Sequence, residues 1–379
     1  MITKLWPFVL GSVVLGLDAY VIAGLLPTIA TDLDATAGMV GIGVAGFTAA
    51  YAVVGPILAG AAGRSAFRSL FLALVVFVIA NIGSAIAVSV GLFIFSRVVA
   101  GAAAGIFSPL SSSVAAASVP AERRGRALSL VLAGLACGMV FGVPVGLLVA
   151  HAMSWRWTFG LIAVVGLIAT IGISMRGKSG IADVAAPSLR ARLVTLTRGP
   201  NVVTMLVTLL TGVSSLGLYT YFLPLLDGLG LSHHKMWLIW VWGIGGAVGA
   251  LLVGRVVDAV PRPLLVTVFI TALLAVTFAL LGWNVSVVVS AICVFAWGVL
   301  GWSSLAPQQH TLITANPADG TTAVAANASA NYLGSALGAS AGAVVIDAGV
   351  AGAGLALIAV VPAVIACVLQ LFRIRMARA

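Results

Sequence analysis

The chain has 379 residues, 62% of them hydrophobic and 7% charged, with a formal net charge of +10 and a mean hydropathy of +1.22. A soluble domain carries about 25% charged residues, so this composition excludes a water-soluble fold and places the chain in a lipid bilayer. The basic excess does not point to nucleic acid, because the Lys and Arg residues form no aromatic-interleaved patch and fall in short clusters between apolar runs.

A helix needs about 20 apolar residues to cross a bilayer. Runs of that length predict twelve spans: 7–30, 38–62, 69–88, 91–115, 127–150, 156–175, 201–225, 236–256, 264–283, 286–305, 321–345 and 351–372. The first run is too long for the core of a cleaved leader and ends in Asp32 and Asp34 rather than small residues, so it is expected to be span 1. The fold class is therefore all-α integral membrane, with twelve transmembrane helices. The longest non-apolar stretch divides them into an amino-terminal bundle, 1–175, a solvated cytoplasmic linker, 176–200, and a carboxy-terminal bundle, 201–379.

Orientation follows from the basic residues, which accumulate in cytoplasmic loops. With both termini inside, only Arg156 and Lys235 of the 19 Lys and Arg face out and Arg97 lies within a span; all the others are inside. The three cysteines, Cys137, Cys293 and Cys367, lie in apolar runs and read as small core residues. His233 and His234 read as an outer loop, and without a nearby carboxylate or cysteine pattern they make a poor metal site. His310 with Gln308 and Gln309 reads as an inner loop.

Two charges sit deep within apolar runs, Asp18 in span 1 and Arg97 in span 4. An ionisable group inside the membrane is expensive and marks function by default. A carboxylate taken out of water holds its proton more tightly and exchanges it nearer neutral pH, so Asp18 is the candidate proton carrier, and a cationic substrate could compete for it. The alternative is a structural Asp bonded to backbone. Arg97 stays protonated and can hold a carboxylate, an anionic group or buried water; the alternative is a charge bonded to carbonyls. Weaker pocket candidates are Tyr219, Tyr221 and Phe222 beside Pro224, Trp297 and Trp302 in span 10, and Asn327 and Asn331, four apart in span 11. For each of them ordinary packing is an equal reading.

An internal repeat recurs at about 195 residues. Gly55–Gly60 and Gly249–Gly254 each close the second span of a half, with Arg68 and Arg262 at matching offsets. Span 5 carries Gly134, Gly138, Gly142 and Gly146, and span 11 carries Gly334, Gly338 and Gly342. Spacing of four places each ladder on one helix face, where backbones approach closely. Two halves of six spans with a site near the midplane are a known transporter plan. No Gly-Lys-Ser/Thr phosphate loop occurs, so an ATP-driven pump is not indicated, and the inner loops assemble no catalytic set; the chain does not read as an enzyme.

Several motifs combine at this point. Span 1 has Asp18-Ala-Tyr-Val-Ile-Ala-Gly-Leu-Leu-Pro27 and span 4 has Arg97-Val-Val-Ala-Gly101 followed by Gly105. Pro120-Ala-Glu-Arg-Arg-Gly-Arg-Ala127 follows span 4, Gly142-Val-Pro144-Val-Gly146 lies in span 5, and Ser154-Trp-Arg-Trp-Thr-Phe159 enters span 6. In these residues the chain resembles the major facilitator superfamily, specifically its twelve-span drug:proton antiporters with their sugar-efflux and chloramphenicol-resistance relatives.

The resemblance implies two pseudo-symmetric six-helix bundles rocking about a central site. It implies a monomeric, proton-coupled secondary transporter of the bacterial inner membrane that exports small amphipathic compounds without cofactor or metal. A carrier of sugars, nucleosides or other metabolites, and a non-transporting sensor of the same fold, remain alternatives. Asp18 and Arg97 become the proton-coupling residues, and Asp18 also a substrate ligand.

One departure stands out: the family's loop after span 2 has an aspartate four residues beyond its glycine, whereas here Gly60 is followed by Arg64. The second half keeps the pattern as Gly254, Asp258 and Arg262. The resemblance implies that this aspartate helps latch the cytoplasmic side in the outward-open state, a role that this loop then lacks or that moves to Asp258.

Overall fold

The computed structural model describes residues 2–63, 65–120, 124–178, 181, 197, 199–260, 262–283, 286–316 and 320–376, and these contain helices and no strand. Inside a bilayer no water satisfies the backbone, so each apolar run closes its hydrogen bonds within itself as a helix. Span 1 is Ile2–Asp32, span 2 Ala37–Gly63, span 3 Ala66–Ala85 and span 4 Val90–Ala117. Span 5 runs as Arg124–Cys137, a π-helical turn Gly138–Gly142 and Val143–Ala152, and span 6 is Trp155–Arg176. Span 7 runs as Gly199–Thr211, a π-helical turn Gly212–Leu216 and Gly217–Thr220, continuing after Tyr221 as Phe222–Gly228. Span 8 is Lys235–Ala259, span 9 Pro263–Gly282, span 10 Val287–Ser303 with Leu305–Ala315, span 11 Gly320–Asp347 and span 12 Ala353–Met376. Ser89 and Ser154 start spans 4 and 6 as caps, accepting from the N–H groups of Leu92 and Arg156 that the helix itself leaves unpaired.

Among the described residues, 11 helices are long and apolar enough to cross a membrane. Span 11 is the long helix outside that set: its 28 residues suffice for length, but Asn327, Asn331 and many Ala, Ser and Gly residues dilute its hydropathy. The helices turn apolar side chains outward. Ile79, Phe95, Phe141, Leu251, Phe269 and Val344 are all more than half exposed, a surface suited to lipid rather than water.

The chain forms two compact units, Met1–Leu189 and Arg190–Ala379. In the first unit span 1 packs on spans 5 and 6, span 2 on span 4, and span 3 on spans 4 and 6. The second repeats this pairing, with span 7 on spans 11 and 12, span 8 on span 10, and span 9 on spans 10 and 12.

The glycine ladders form the tightest seams. Gly134, Gly138, Gly142 and Gly146 lie against Val9, Val13, Leu17 and Val21 of span 1, themselves four apart. Gly334, Gly338 and Gly342 lie against Leu209, Val213 and Tyr221 of span 7. A Cβ on Gly138 would overlap the Val13 carbonyl, and one on Gly334 the Leu209 carbonyl, so only glycine permits that backbone approach. The π-helical turns lie on these seams, at Gly138–Gly142 and Gly212–Leu216. Gly101 and Gly105 serve the same purpose between spans 4 and 2, against the carbonyls of Phe47 and Tyr51.

Several expectations are corrected. Arg176 and Gly199 belong to helices 6 and 7 rather than to a linker; most of the residues between them lie outside those described. Gln308, Gln309 and His310 lie on helix Leu305–Ala315 rather than in a loop, because span 10 resumes after a turn at Ser304. Gln308 is buried there. Cys137 is exposed, whereas Cys293 is buried: span 5 turns its small glycine face inward and Cys137 away from it. Arg64 and the side chain of Asp258 lie outside the described residues, and Gly60 is described only as part of helix Ala37–Gly63. Arg68 and Arg262 are exposed, and Gly254 has open space where a Cβ would stand.

Candidate functional site

Asp18 and Arg97 meet. Arg97 Nη1 donates to Asp18 Oδ1 at 2.6 Å, and both side chains are fully buried. Asp18 reaches this point because span 1 is pressed onto span 5 by the glycine seam on its other side. Arg97 reaches it from span 4, whose own glycines seat it against span 2.

Span 3 supplies what the sequence reading missed. Arg97 Nη2 donates to Asn81 Oδ1 at 3.0 Å, and Nε donates to Ser84 Oγ at 3.1 Å. Each acceptor is oriented by its own helix. The Asn81 NH2 donates to the Phe77 carbonyl at 3.0 Å, and the Ser84 hydroxyl donates to the Ala80 carbonyl at 3.1 Å. Their remaining lone pairs therefore point at the guanidinium. The face of Arg97 rests on Phe159 of span 6, 4.9 Å from the ring centre, with Phe47 of span 2 at 5.8 Å. Each side of the cation is thus matched: three acceptors around its edge and aromatic rings on its faces. Asn81 and Ser84 escaped notice because one amide and one hydroxyl in an apolar run look like ordinary helix residues. Their separation of three, which places them on one face of span 3, was the available signal.

Asp18 is held less completely. Its Oδ2 is buried with no donor at close hydrogen-bonding geometry, although the Asn81 amide stands near the carboxylate. Burying two charges costs several kcal/mol per ion, and a carboxylate oxygen without a close donor recovers little of it.

Phe159 also packs edge-to-face on Phe93 and Trp155, at 5.8 and 5.9 Å. Trp155 donates its indole N–H to Asp32 at 3.2 Å. Arg156 pairs with the same carboxylate, donates to the Ala87 carbonyl at 2.9 Å and stacks over Trp155 at 4.4 Å. The ends of spans 1, 3 and 6 are clipped together there, so Arg156 is bound rather than a bare loop charge.

In the second unit Tyr219, Tyr221, Phe222, Trp297 and Asn327 are buried, whereas Trp302 is half-buried. Tyr219 stacks on Trp242 with centres 3.9 Å apart, and Phe222 and Phe278 surround Trp297. Tyr221 belongs to the seam instead, its hydroxyl donating to the Ala339 carbonyl at 2.6 Å. Trp302 packs edge-to-face on Trp242. Asn327 and Asn331 separate: Asn327 is fully buried with Oδ1 2.6 Å from the Thr208 hydroxyl, which also contacts Gln308 Oε1, whereas Asn331 is half-buried.

A family model described as the Major Facilitator Superfamily matches residues 8–339. The chain belongs to this superfamily. It is 32% identical over 259 residues to a "Chloramphenicol resistance protein" of Streptomyces lividans, covering 66% of this chain and 66% of that relative, so the chain spans just under two thirds of its length. It is 28% identical to an "Inner membrane transport protein" of Escherichia coli K12 over 90% of this chain and 88% of that one. The solved structure of a D-xylose-proton symporter matches 97% of this chain and 96% of its own with a TM-score of 0.75, at 18% identity. That likeness shows the major facilitator fold. The chain is accordingly a multi-pass membrane protein of this superfamily.

Proposed function

We propose that this transporter exports small amphipathic compounds in exchange for protons, by alternating access, as a monomer in the inner membrane with both termini cytoplasmic. The observation that carries the reading is the Asp18–Arg97 pair. Among the described ion pairs it alone is fully buried on both sides, and its carboxylate keeps one oxygen without a close donor. Protonating that oxygen removes the attraction between spans 1 and 4, which converts proton uptake into a change in helix packing. The chloramphenicol-resistance relative supports a drug-like cargo, and the buried aromatic set around Trp297 supports a flat or apolar one.

A second reading, a carrier of polyhydroxylated metabolites, draws on the amide and hydroxyl cluster of Thr208, Gln308 and Asn327. Purified protein in liposomes, given a pH gradient and a panel containing an amphenicol, a cationic dye and a monosaccharide, decides between them. The expected result is gradient-driven flux of the amphenicol or dye, lost in Asp18→Asn. Flux of the sugar alone would support the second reading. No gradient-dependent flux of any compound would overturn transport coupling and favour a sensor.

A further inference from the structure

Thr208 of span 7, Gln308 of span 10 and Asn327 of span 11 meet within the second unit, and all three are buried. The Thr208 hydroxyl faces three oxygens: Gln308 Oε1, Asn327 Oδ1 at 2.6 Å and the Thr204 carbonyl at 3.1 Å. A hydroxyl has a single proton, so it satisfies only one of them. Asn327 Nδ2, meanwhile, is buried and has no acceptor.

An amide carries its donor and its acceptor on the two ends of one planar head, and the surrounding hydrogen bonds decide which end lies where. Exchanging the ends of Gln308 fails, because its NH2 already donates to the Ser304 carbonyl at 2.9 Å. Exchanging the ends of Asn327 works. One of its N–H groups then donates to Thr208 Oγ1, and the Thr208 proton goes to Gln308 Oε1. The three residues become a directed chain across spans 11, 7 and 10, ending on the Ser304 carbonyl, whose links polarise one another. At its other end stands the Asn327 carbonyl oxygen, on the side of the head away from Thr208. A buried oxygen of this kind calls for a donor. Its own helix offers little. Of the same-face neighbours of Asn327, Ala323, Val324 and Ala330 carry no polar side chain, and Asn331 is half-buried.

We propose that this oxygen binds a hydroxyl or N–H of the transported compound, with Thr208 and Gln308 as positioning residues that keep the amide turned toward it. The inference rests on the reading of the chain as a small-molecule carrier and goes beyond it, because it names a chemical requirement of the cargo: a hydrogen-bond donor. An amphenicol meets the requirement with its hydroxyls and amide N–H, and so does a monosaccharide. A quaternary dye without O–H or N–H does not.

The test is binding and gradient-driven uptake by the full-length protein in liposomes. The probes are an amphenicol and its analogues in which each O–H or N–H is in turn replaced by C–F, C–H or N–CH3, glucose and its deoxy analogues, and a quaternary cationic dye. In the wild type, a donor-deleted analogue is expected to bind about tenfold more weakly than its parent, as for one hydrogen bond lost to a buried partner. In Asn327→Leu the parent is expected to fall to the level of that analogue, so that the preference disappears. Thr208→Val keeps the shape, removes the hydroxyl and is expected to do the same, whereas Thr208→Ser is expected to keep the preference. A residue that only packs would weaken parent and analogue equally, and that result in Asn327→Leu would overturn the proposal. If Asn327→Leu does not fold, Thr208→Val carries the same comparison. Binding of no donor-bearing probe by the wild type also overturns it, and uptake of the dye alone does so while leaving export standing. A donor preference with no dependence on the pH gradient sinks the proton-exchange reading and leaves this inference intact.

Discussion

Trp297 donates its indole N–H to the Ser215 hydroxyl at 2.9 Å, joining span 10 to span 7. In the first unit Arg97 and Asp18 join the corresponding spans, 4 and 1. The duplicated framework thus holds a charged pair in one unit and a neutral aromatic contact in the other. Phe278 of span 9 packs edge-to-face on Trp297 with centres 5.3 Å apart, as Asn81 and Ser84 of span 3 meet Arg97. One fold position therefore holds an ion pair in the first unit and an aromatic cluster in the second.

Trp297 should therefore act through volume and Ser215 through one hydrogen bond. Trp297→Ala is expected to cost about 3–5 kcal/mol, the range for emptying a buried aromatic site. Ser215→Ala is expected to cost about 1–3 kcal/mol, because it leaves a buried indole N–H unpaired. Thermal unfolding in detergent measures both. Equal losses would show that the hydrogen bond, rather than the aromatic packing, secures span 10.

The glycines separate into those whose backbone approach is required and those with space. Gly138→Val would drive a branched side chain into the Val13 carbonyl, and it is expected to abolish both folded yield and transport. Gly254→Ala meets nothing within 4 Å and is expected to change stability by no more than about 0.5 kcal/mol, as surface substitutions do. Folded yield by size-exclusion chromatography distinguishes them, and a Gly138→Val protein of normal yield would show that spans 1 and 5 separate more easily than their seam suggests.

The fold was legible because bilayer physics leaves few alternatives. Apolar runs of one helix length, bounded by basic clusters, could only be spans, and the ladders at spacing four announced the seams before their partners were known. The site was half legible. Asp18 and Arg97 stood out as charges in apolar sequence, but nothing in either run says which helix faces which. Asn81, Ser84, Ser215 and Thr208 stayed hidden because a lone amide or hydroxyl in a span is cheap: it bonds back to its own helix, as Asn81 and Ser84 still do. Span 10 was cut short at 305 because Gln308, Gln309 and His310 read as polar. The structure buries Gln308 by giving its amide the Ser304 carbonyl and Thr208 as partners.

At the end of the first unit, Asp32 and Arg156 are partly open to solvent, where ion pairs contribute about 0–1 kcal/mol. Asp32→Asn is therefore expected to lower unfolding stability by no more than about 1 kcal/mol. Arg156→Ala removes more, since it also releases the Ala87 carbonyl and uncovers Trp155. Arg156→Lys separates charge from stacking: it retains the pair with Asp32 but loses the flat contact on the indole. Tryptophan fluorescence is expected to shift in Arg156→Ala and Arg156→Lys alike. A spectrum unchanged in Arg156→Lys would mean that charge alone holds the clip.

Arg97→Lys keeps the charge and removes the geometry. A guanidinium offers a planar set of donors, which here reach Asp18, Asn81 and Ser84 from three different nitrogens while the flat face lies on Phe159. An ammonium is a compact point charge, and from span 4 it can approach Asp18 or the span 3 acceptors, but not serve both at those distances. The lysine is expected to follow the carboxylate, leaving Asn81 Oδ1 and Ser84 Oγ buried without their donor, at about 1–3 kcal/mol for each group so stranded. Gradient-driven transport is then expected to fall by about tenfold or more, each tenfold corresponding to about 1.4 kcal/mol, while Asp18 still titrates. Counterflow under equal pH on both sides, compared with flux under a gradient, isolates the coupling step. A Lys variant with both fluxes intact would mean that charge at this position is sufficient and that the three-acceptor seat of span 3 has no part in transport.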